Sequence, residues 1–74
     1  MSSIDKKKFA RNLNHALVKK DWSQSDLARA TGIDVANINA YVNGKCFPRL
    51  AAAWDIARAL GMTIEELIDG AIEK

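Results

Sequence analysis

The chain has 74 residues, enough for one small domain, so we predict a single domain over residues 1–74 with an ordered core at about residues 5–70. Its 49% hydrophobic and 27% charged residues, with a net charge of +2 at pH 7, are typical of a globular chain and exclude a disordered one. A single cysteine excludes an internal disulfide, and the lack of an apolar run of roughly 20 residues excludes a membrane span, so we expect a cytoplasmic protein without membrane contact.

Apolar residues recur at helical spacing along the chain, and the alternation typical of a strand persists nowhere. The first predicted helix covers residues 5–20 and places Phe9, Leu13 and Leu17 on one face. Four further helices are predicted at residues 23–31, 34–43, 49–60 and 63–70. The sequence therefore predicts an all-α fold, a compact bundle of five helices.

Local signals mark the ends of these helices. The four glycines each stand where a predicted helix stops, at Gly32, Gly44, Gly61 and Gly70. Two pairs have the spacing of capping boxes, Ser23 with Asp26 and Thr63 with Glu66. Asp34 is expected to cap the third helix, and Pro48 to mark the start of the fourth.

The segment from residue 23 to residue 45 has the spacing of a helix-turn-helix. Ala28, four residues before the turn, is small enough to let the next helix approach closely. Gly32 makes the turn, and Ile38, six residues later, anchors the following helix to the core. Predicted helices 2 and 3 therefore form the motif.

This segment and its flanks resemble the lambda-repressor and Cro-like (Xre-type) family of phage and bacterial regulators, over about residues 13–70. The matching residues follow the order of the family pattern: Gln24, Leu27, Ala28, Gly32, Ile38, Asn43, Gly44, Lys45, Pro48, Ile56, Ala57, Ala59, Leu60 and Gly61. The resemblance implies a lambda-repressor-like five-helix fold and a DNA-binding function without enzymatic activity.

In a helix-turn-helix the second helix lies in the major groove with its N-terminal residues at the base edges. With Ile38 and Tyr41 turned inward, a step of about 100° per residue places Val35, Ala36, Asn39, Ala40 and Asn43 on the outer face. We predict that Val35, Ala36, Asn39 and Ala40 contact bases. Asn39 suits adenine and the apolar residues suit thymine methyl groups, while DNA shape adds to specificity.

The resemblance also implies phosphate contacts by Gln24, Asn43, Lys45 and Arg49. Lys6, Lys7 and Lys8 either touch the DNA backbone or form a solvated helix start. Residues 1–60 hold ten Lys or Arg against five Asp, giving +5, whereas residues 61–74 hold four acidic residues against one Lys, giving −3. Only the first part of the chain is therefore suited to contact DNA.

The remaining chemical groups are expected to be structural. His15 is predicted at the surface or half-buried, Cys46 as a semi-buried filler, and Trp22 and Trp54 in the core. The acidic residues Glu65, Glu66 and Asp69 are interpreted as a solvated face or a partner of the helix dipole. We therefore expect no catalytic residue, cofactor, metal or small-molecule substrate.

These features predict a transcriptional regulator, of the phage or prophage repressor type, that binds a pseudo-palindromic double-stranded operator as a homodimer. A module this small makes few base contacts, so useful specificity needs two half-sites. The dimer surface is either an apolar patch of Ile64, Ile68, Ala71 and Ile72 or a further domain of a longer repressor. The alternative function is a protein-interaction or antitoxin-like module that uses the same fold to bind a protein.

Overall fold

The computed structural model describes residues 5–69, and this part of the chain contains five α-helices and no strand. The helices are α1 (Lys6–Lys20), α2 (Gln24–Thr31), α3 (Val35–Val42), α4 (Leu50–Leu60) and α5 (Ile64–Asp69). Each begins one residue later than predicted, because the predicted bounds included the capping residue, which is not helical. The predicted stop at Gly70 lies outside the described residues.

The predicted capping residues form hydrogen bonds at three helix starts. Ser23 and Asp26 exchange backbone-to-side-chain bonds of 2.8 and 3.1 Å, and Thr63 and Glu66 do the same at 2.9 and 3.0 Å. The Asp34 carboxylate accepts from the Ala36 N–H at 2.9 Å. The start of α4 differs, because Pro48 precedes the capping residue Arg49, which makes no side-chain cap. The Asp5 carboxylate also accepts from the Lys7 N–H at 2.9 Å, so four helices start where side chains satisfy free N–H groups.

Every helix contributes to one hydrophobic core. Its fully buried large side chains come from all five helices: Phe9 and Leu13, Leu27, Ile38, Ile56, and Leu67. The helix α1 packs against α3, α4 and α5, while α2 packs against α3 and α4. No helix within residues 5–69 is long and apolar enough to cross a membrane.

Two asparagines of α1 connect this helix to the C-terminal ends of other helices. The Asn14 amide donates to the Val42 carbonyl at the end of α3 at 2.9 Å. The Asn12 amide donates to the carbonyls of Leu67 and Ile68 in α5 at 3.0 and 3.2 Å. The last carbonyls of a helix have no partner within it, so these bonds satisfy them and fix α3 and α5 on α1.

Two predictions of burial are wrong. Trp54, predicted in the core, is 54% exposed, and Leu50, four residues before it on α4, is 75% exposed. Both lie next to Ala57 in helical projection, at the edge of the buried side of α4, and both side chains remain exposed to solvent. Cys46, predicted as a semi-buried filler, is exposed, because the neighbouring Phe47 packs against the core instead. Trp22 packs against the core as predicted, and His15 is exposed.

Candidate nucleic-acid interface

The turn between α2 and α3 fixes the relative position of the two helices. Gly32 ends α2 with φ at 77°, in the left-handed region that glycine adopts without steric cost. The Thr31 hydroxyl donates to the Leu27 carbonyl at 2.8 Å and accepts from the Ile33 N–H at 3.2 Å. The loop is therefore held by hydrogen bonds before α3 starts at its Asp34 cap.

The helix α3 has one buried side and one exposed side. Ile38, Tyr41 and Val42 are buried against the bundle. The residues predicted to contact bases lie on the other side: Val35 is 46% exposed, Ala36 and Asn39 are exposed, and Ala40 is half-buried. The outer side of α3 therefore exposes the apolar Val35 and Ala36 and the carboxamide of Asn39, as the helical spacing predicts.

Three carboxamide side chains form a hydrogen-bonded chain at the edge of this exposed side. The Asn39 Nδ2 donates to the Gln24 Oε1 at 3.0 Å, and the Asn43 Nδ2 donates to the Asn39 Oδ1 at 3.0 Å. Gln24 is the first residue of α2, and Asn43 is the residue that ends α3. Each of these three residues was predicted separately as a DNA contact, and the bonds between them were not predicted.

The loop after α3 brings basic residues toward the same part of the molecule. Gly44 has φ at 70°, and a Cβ added there would lie 3.6 Å from the Ala10 Cβ and 3.7 Å from the Lys6 carbonyl oxygen. Phe47 stacks on Phe9 with ring centroids 4.8 Å apart. The loop is therefore anchored on α1. The exposed Lys45 follows Gly44, which lies next to the first turn of α1 and its lysines.

The start of α2, which carries Gln24, is held by charged groups. The Asp26 carboxylate accepts a hydrogen bond from the Ser23 backbone N–H and forms an ion pair with Arg29. The hydrogen bond from the Ser23 backbone N–H has the largest effect on the Asp26 carboxyl. Together with the Ser23 side chain and the Arg29 charge, it lowers the pKa of this carboxyl below its ordinary value of 3.8. This carboxylate therefore stays ionised at neutral pH and favours the helical start beside α3.

Within residues 5–69, no three His, Cys, Asp or Glu side chains come together as a metal site would require. His15 lies at an open groove of about 440 Å³ between α1 and the start of α5, beside Lys19 and Glu66. The exposed side of α3 and the basic loop after it are the better candidate for a functional surface.

The chain was compared with known protein families and structures. The family model of the Cro/C1-type HTH DNA-binding domain matches residues 12–69. No curated protein sequence matches the chain significantly. The family match therefore covers the turn, α3 and the loop that follows it.

Three solved structures are similar to this chain. A hypothetical transcription factor NHTF from Neisseria is 30% identical over 85% of this chain and 72% of its own, with a TM-score of 0.80. The restriction-modification controller protein C.AhdI from Aeromonas hydrophila is 27% identical over 85% of this chain and 96% of its own, with a TM-score of 0.81. An HTH_3 family transcriptional regulator from Vibrio cholerae, at 24% identity, shares the fold over 84% of this chain and 35% of its own, with a TM-score of 0.77.

Proposed function

The chain belongs to the family of Cro/C1-type HTH DNA-binding domains, and we propose that it is a cytoplasmic repressor that binds a pseudo-palindromic operator as a dimer. The observation that carries this proposal is the exposed side of α3, where Val35, Ala36 and Asn39 face outward while Ile38 holds the helix in the core. A helix presented in this way fits the major groove of B-form DNA.

Base contacts are assigned to the exposed side of α3. Asn39 offers a hydrogen-bond donor and an acceptor, which match the N7 and N6 groups of adenine. Val35, Ala36 and Ala40 offer apolar contacts that suit thymine methyl groups. The operator is therefore expected to contain A·T pairs at the positions that face these residues, with DNA shape contributing at other positions.

Phosphate contacts are assigned to the ends of the helices around α3. Gln24 stands at the N-terminus of α2, where the free N–H groups and the helix dipole favour an anion. Lys45 and Arg49 are exposed in the loop between α3 and α4, and the exposed Lys6 and Lys7 lie close to this loop. These groups flank α3, so they can bind the DNA backbone on either side of the groove.

A second copy of the chain is assigned to the exposed side of α4. Leu50 and Trp54, which are 75% and 54% exposed, lie four residues apart and so next to each other on the helix surface. Exposed aromatic residues are typical of protein interfaces and often supply most of the binding energy. In the alternative patch on α5, Ile64 packs against the core, and Ala71 and Ile72 lie outside the described residues.

One observation favours the alternative function of a protein-interaction or antitoxin-like module. The outward side of α3 carries apolar Val35 and Ala36, and an exposed apolar surface is also suited to a protein partner. The two functions differ in their dependence on salt. Contacts between basic residues and phosphates release counterions from DNA, whereas an apolar protein interface releases none.

The test is a titration of labelled duplex DNA by fluorescence anisotropy at several salt concentrations. The proposal expects the logarithm of the binding constant to fall linearly and steeply with the logarithm of salt concentration. The Lys45→Ala variant is expected to reduce this slope by about 1, because one phosphate contact is lost. Weak binding that salt does not change would contradict the repressor proposal and favour the protein-interaction module.

A further inference from the structure

The helix α1 is strongly basic, and the proposed function uses its charge at one end only. It carries five Lys and one Arg and no acidic residue. Its N-terminal lysines lie close to the loop after α3, whereas Lys19 and Lys20 lie at the other end, about 20 Å away along the helix axis. These two residues line the open groove between α1 and the start of α5. The second basic end of α1 is therefore part of a concave surface.

This groove has a basic rim and an apolar floor. His15 and Lys19 are exposed and lie one helical turn apart, so they are neighbours along one edge. The floor consists of half-buried apolar side chains, those of Ala16, Leu60 and Met62. The volume of the groove, about 440 Å³, lies within the usual range of ligand-binding clefts. The groove is thus large enough for an apolar side chain of a ligand.

The two ammonium groups of the rim are not neutralised by carboxylates in the described part of the chain, where neither Lys19 nor Lys20 forms an ion pair. The carboxylate of Glu66 lines the groove, but it accepts a hydrogen bond from the Thr63 N–H at 2.9 Å as part of the cap of α5. The Lys20 Nζ lies 5.0 Å from the centre of the Trp22 ring, and this cation–π contact restricts its position without removing its charge. The rim therefore attracts an anionic ligand.

These features fit an acidic peptide better than a nucleic acid. Ammonium groups attract the carboxylates of a peptide, and the apolar floor between α1 and the end of α4 accepts one of its apolar side chains. A DNA backbone offers charge but no apolar side chain, so it would leave the floor uncovered. Among the described residues, none of α3 or of the loop after it lines the groove. The groove and the candidate nucleic-acid interface on α3 are therefore separate sites.

We propose that this groove binds an acidic peptide segment of a partner protein. Carboxylates of the segment contact Lys19 and Lys20, and an apolar side chain between them packs on Ala16, Leu60 and Met62. This site lies outside the proposed function, because the groove residues make none of the DNA contacts assigned above. A chain that carries both sites links the partner protein to the DNA bound at α3.

The test is a titration of the isotope-labelled chain with the peptide Glu-Glu-Leu-Glu-Glu, blocked at both ends, followed by the NMR shifts of the backbone amides. The amide signals of groove residues such as Ala16 and Gly61 are expected to move. The dissociation constant is expected to rise with salt, which screens exposed charges. Control peptides with Lys in place of Glu, or with Ser in place of Leu, should each bind more weakly on the order of tenfold.

Two charge reversals on α1 separate the groove from the net charge of the chain. Lys19→Glu is expected to raise the dissociation constant of the peptide on the order of tenfold. Arg11→Glu changes the net charge equally, but Arg11 does not line the groove and lies about 12 Å from Lys19 along the helix. This distance exceeds the Debye length of about 8 Å, so the control should change peptide binding by less than about twofold. Both side chains are exposed, and circular dichroism verifies that both variants are folded.

Different results would overturn the inference. No shift of the groove signals at about 1 mM peptide would exclude the site, and equal loss in Lys19→Glu and Arg11→Glu would show attraction to net charge only. Groove signals that move with protein concentration, without peptide, would assign the groove to a second copy of the chain. A loss of duplex affinity in Lys19→Glu as large as that in Lys45→Ala would assign Lys19 to DNA. The peptide titration contains no DNA, so a failure of the proposed function is seen separately.

Discussion

The helices α3 and α4 both expose apolar side chains. Local sequence signals indicate which side of α3 is exposed, but no such signals indicate it for α4. In α3 a side-chain cap at Asp34 and a fully buried Ile38 define the inner side, and the polar Asn39 and Asn43 follow on the other. In α4 the sequence Leu-Ala-Ala-Ala-Trp-Asp-Ile-Ala-Arg-Ala-Leu is apolar on nearly all sides, and no side-chain cap marks its start. The position of α3 is thus encoded locally, whereas that of α4 depends on packing.

The difference indicates two kinds of surface. The exposed side of α3 is small, contains a carboxamide and adjoins basic residues, which suits the polar and charged surface of DNA. The exposed side of α4 contains Leu50 and Trp54, which suits the apolar contact between two protein chains. If these surfaces have separate functions, substitutions on α3 and on α4 should have separate effects.

The largest expected effect concerns the buried sides of both helices. Ile38→Ala and Ile56→Ala each remove a fully buried side chain, and each should lower the free energy of unfolding by about 2–5 kcal/mol. Val35→Ala and Leu50→Ala are the matched exposed controls and should change it by about 0.5 kcal/mol or less. Urea unfolding measures all four variants. At a protein concentration where the chain is monomeric, a loss at Leu50 as large as that at Ile56 would show that the outer side of α4 is packed in the monomer.

The next effect should appear in the association of two chains. Trp54→Glu places a charge at the proposed dimer surface and is expected to raise the dimer dissociation constant by more than about tenfold, as for a Trp at the centre of an interface. Sedimentation equilibrium measures it. Val18→Glu is the control, since Val18 is 78% exposed on α1. Equal loss of dimer in both variants, or in neither, would contradict a dimer contact through α4.

A smaller effect separates base contacts from phosphate contacts at α3. Asn39→Ala should weaken binding to the preferred duplex by about 1–3 kcal/mol and to random duplex much less. Lys45→Ala should weaken both alike, because a phosphate contact carries no sequence information. Anisotropy titrations with both duplexes give, for each variant, the ratio of its affinity for the preferred duplex to its affinity for random duplex. If Asn39→Ala weakened both duplexes equally, Asn39 would have no role in base recognition.

The smallest effect concerns the start of α2, where Gln24 adjoins α3. The folded-state pKa of Asp26 lies below 3.8, so its carboxylate stabilises the fold above that pH, and this contribution is lost as the pH falls through the lower folded value. Asp26→Asn should therefore lower the Tm slightly at neutral pH and leave it unchanged in strong acid. Calorimetry from pH 2 to 7 measures the difference. A difference that stayed constant with pH would contradict the role of the charge.

Much of the fold could be predicted from the sequence because its signals are local. Capping pairs such as Ser23 with Asp26, and glycines at helix ends, depend on residues within one turn of each other. The outer side of α3 could be predicted for the same reason, since one buried Ile38 fixes the direction of the whole helix. The helix bounds and the sides of α3 follow from such signals.

The remaining features depend on residues that are distant in the sequence. Asn14 meets the end of α3 across 28 residues, and Gln24 meets Asn39 across 15, and no spacing in the sequence indicates either contact. Only the bond from Asn43 to Asn39, four residues apart on one helix, has a local signal. The prediction that Trp54 lies in the core was wrong because α4 has more apolar residues than the core has positions for, and the helical spacing does not indicate which of them are buried.

We propose that the exposed side of α3 recognises a DNA sequence and that a second copy of the chain binds through α4. In vitro selection from a random duplex library is the direct test. The wild-type chain is expected to enrich an inverted repeat with A·T pairs in each half-site, the half-sites centred about 34–36 Å apart. Enrichment of no sequence, with weak binding even at low salt, would contradict it and favour a protein partner for the same surface.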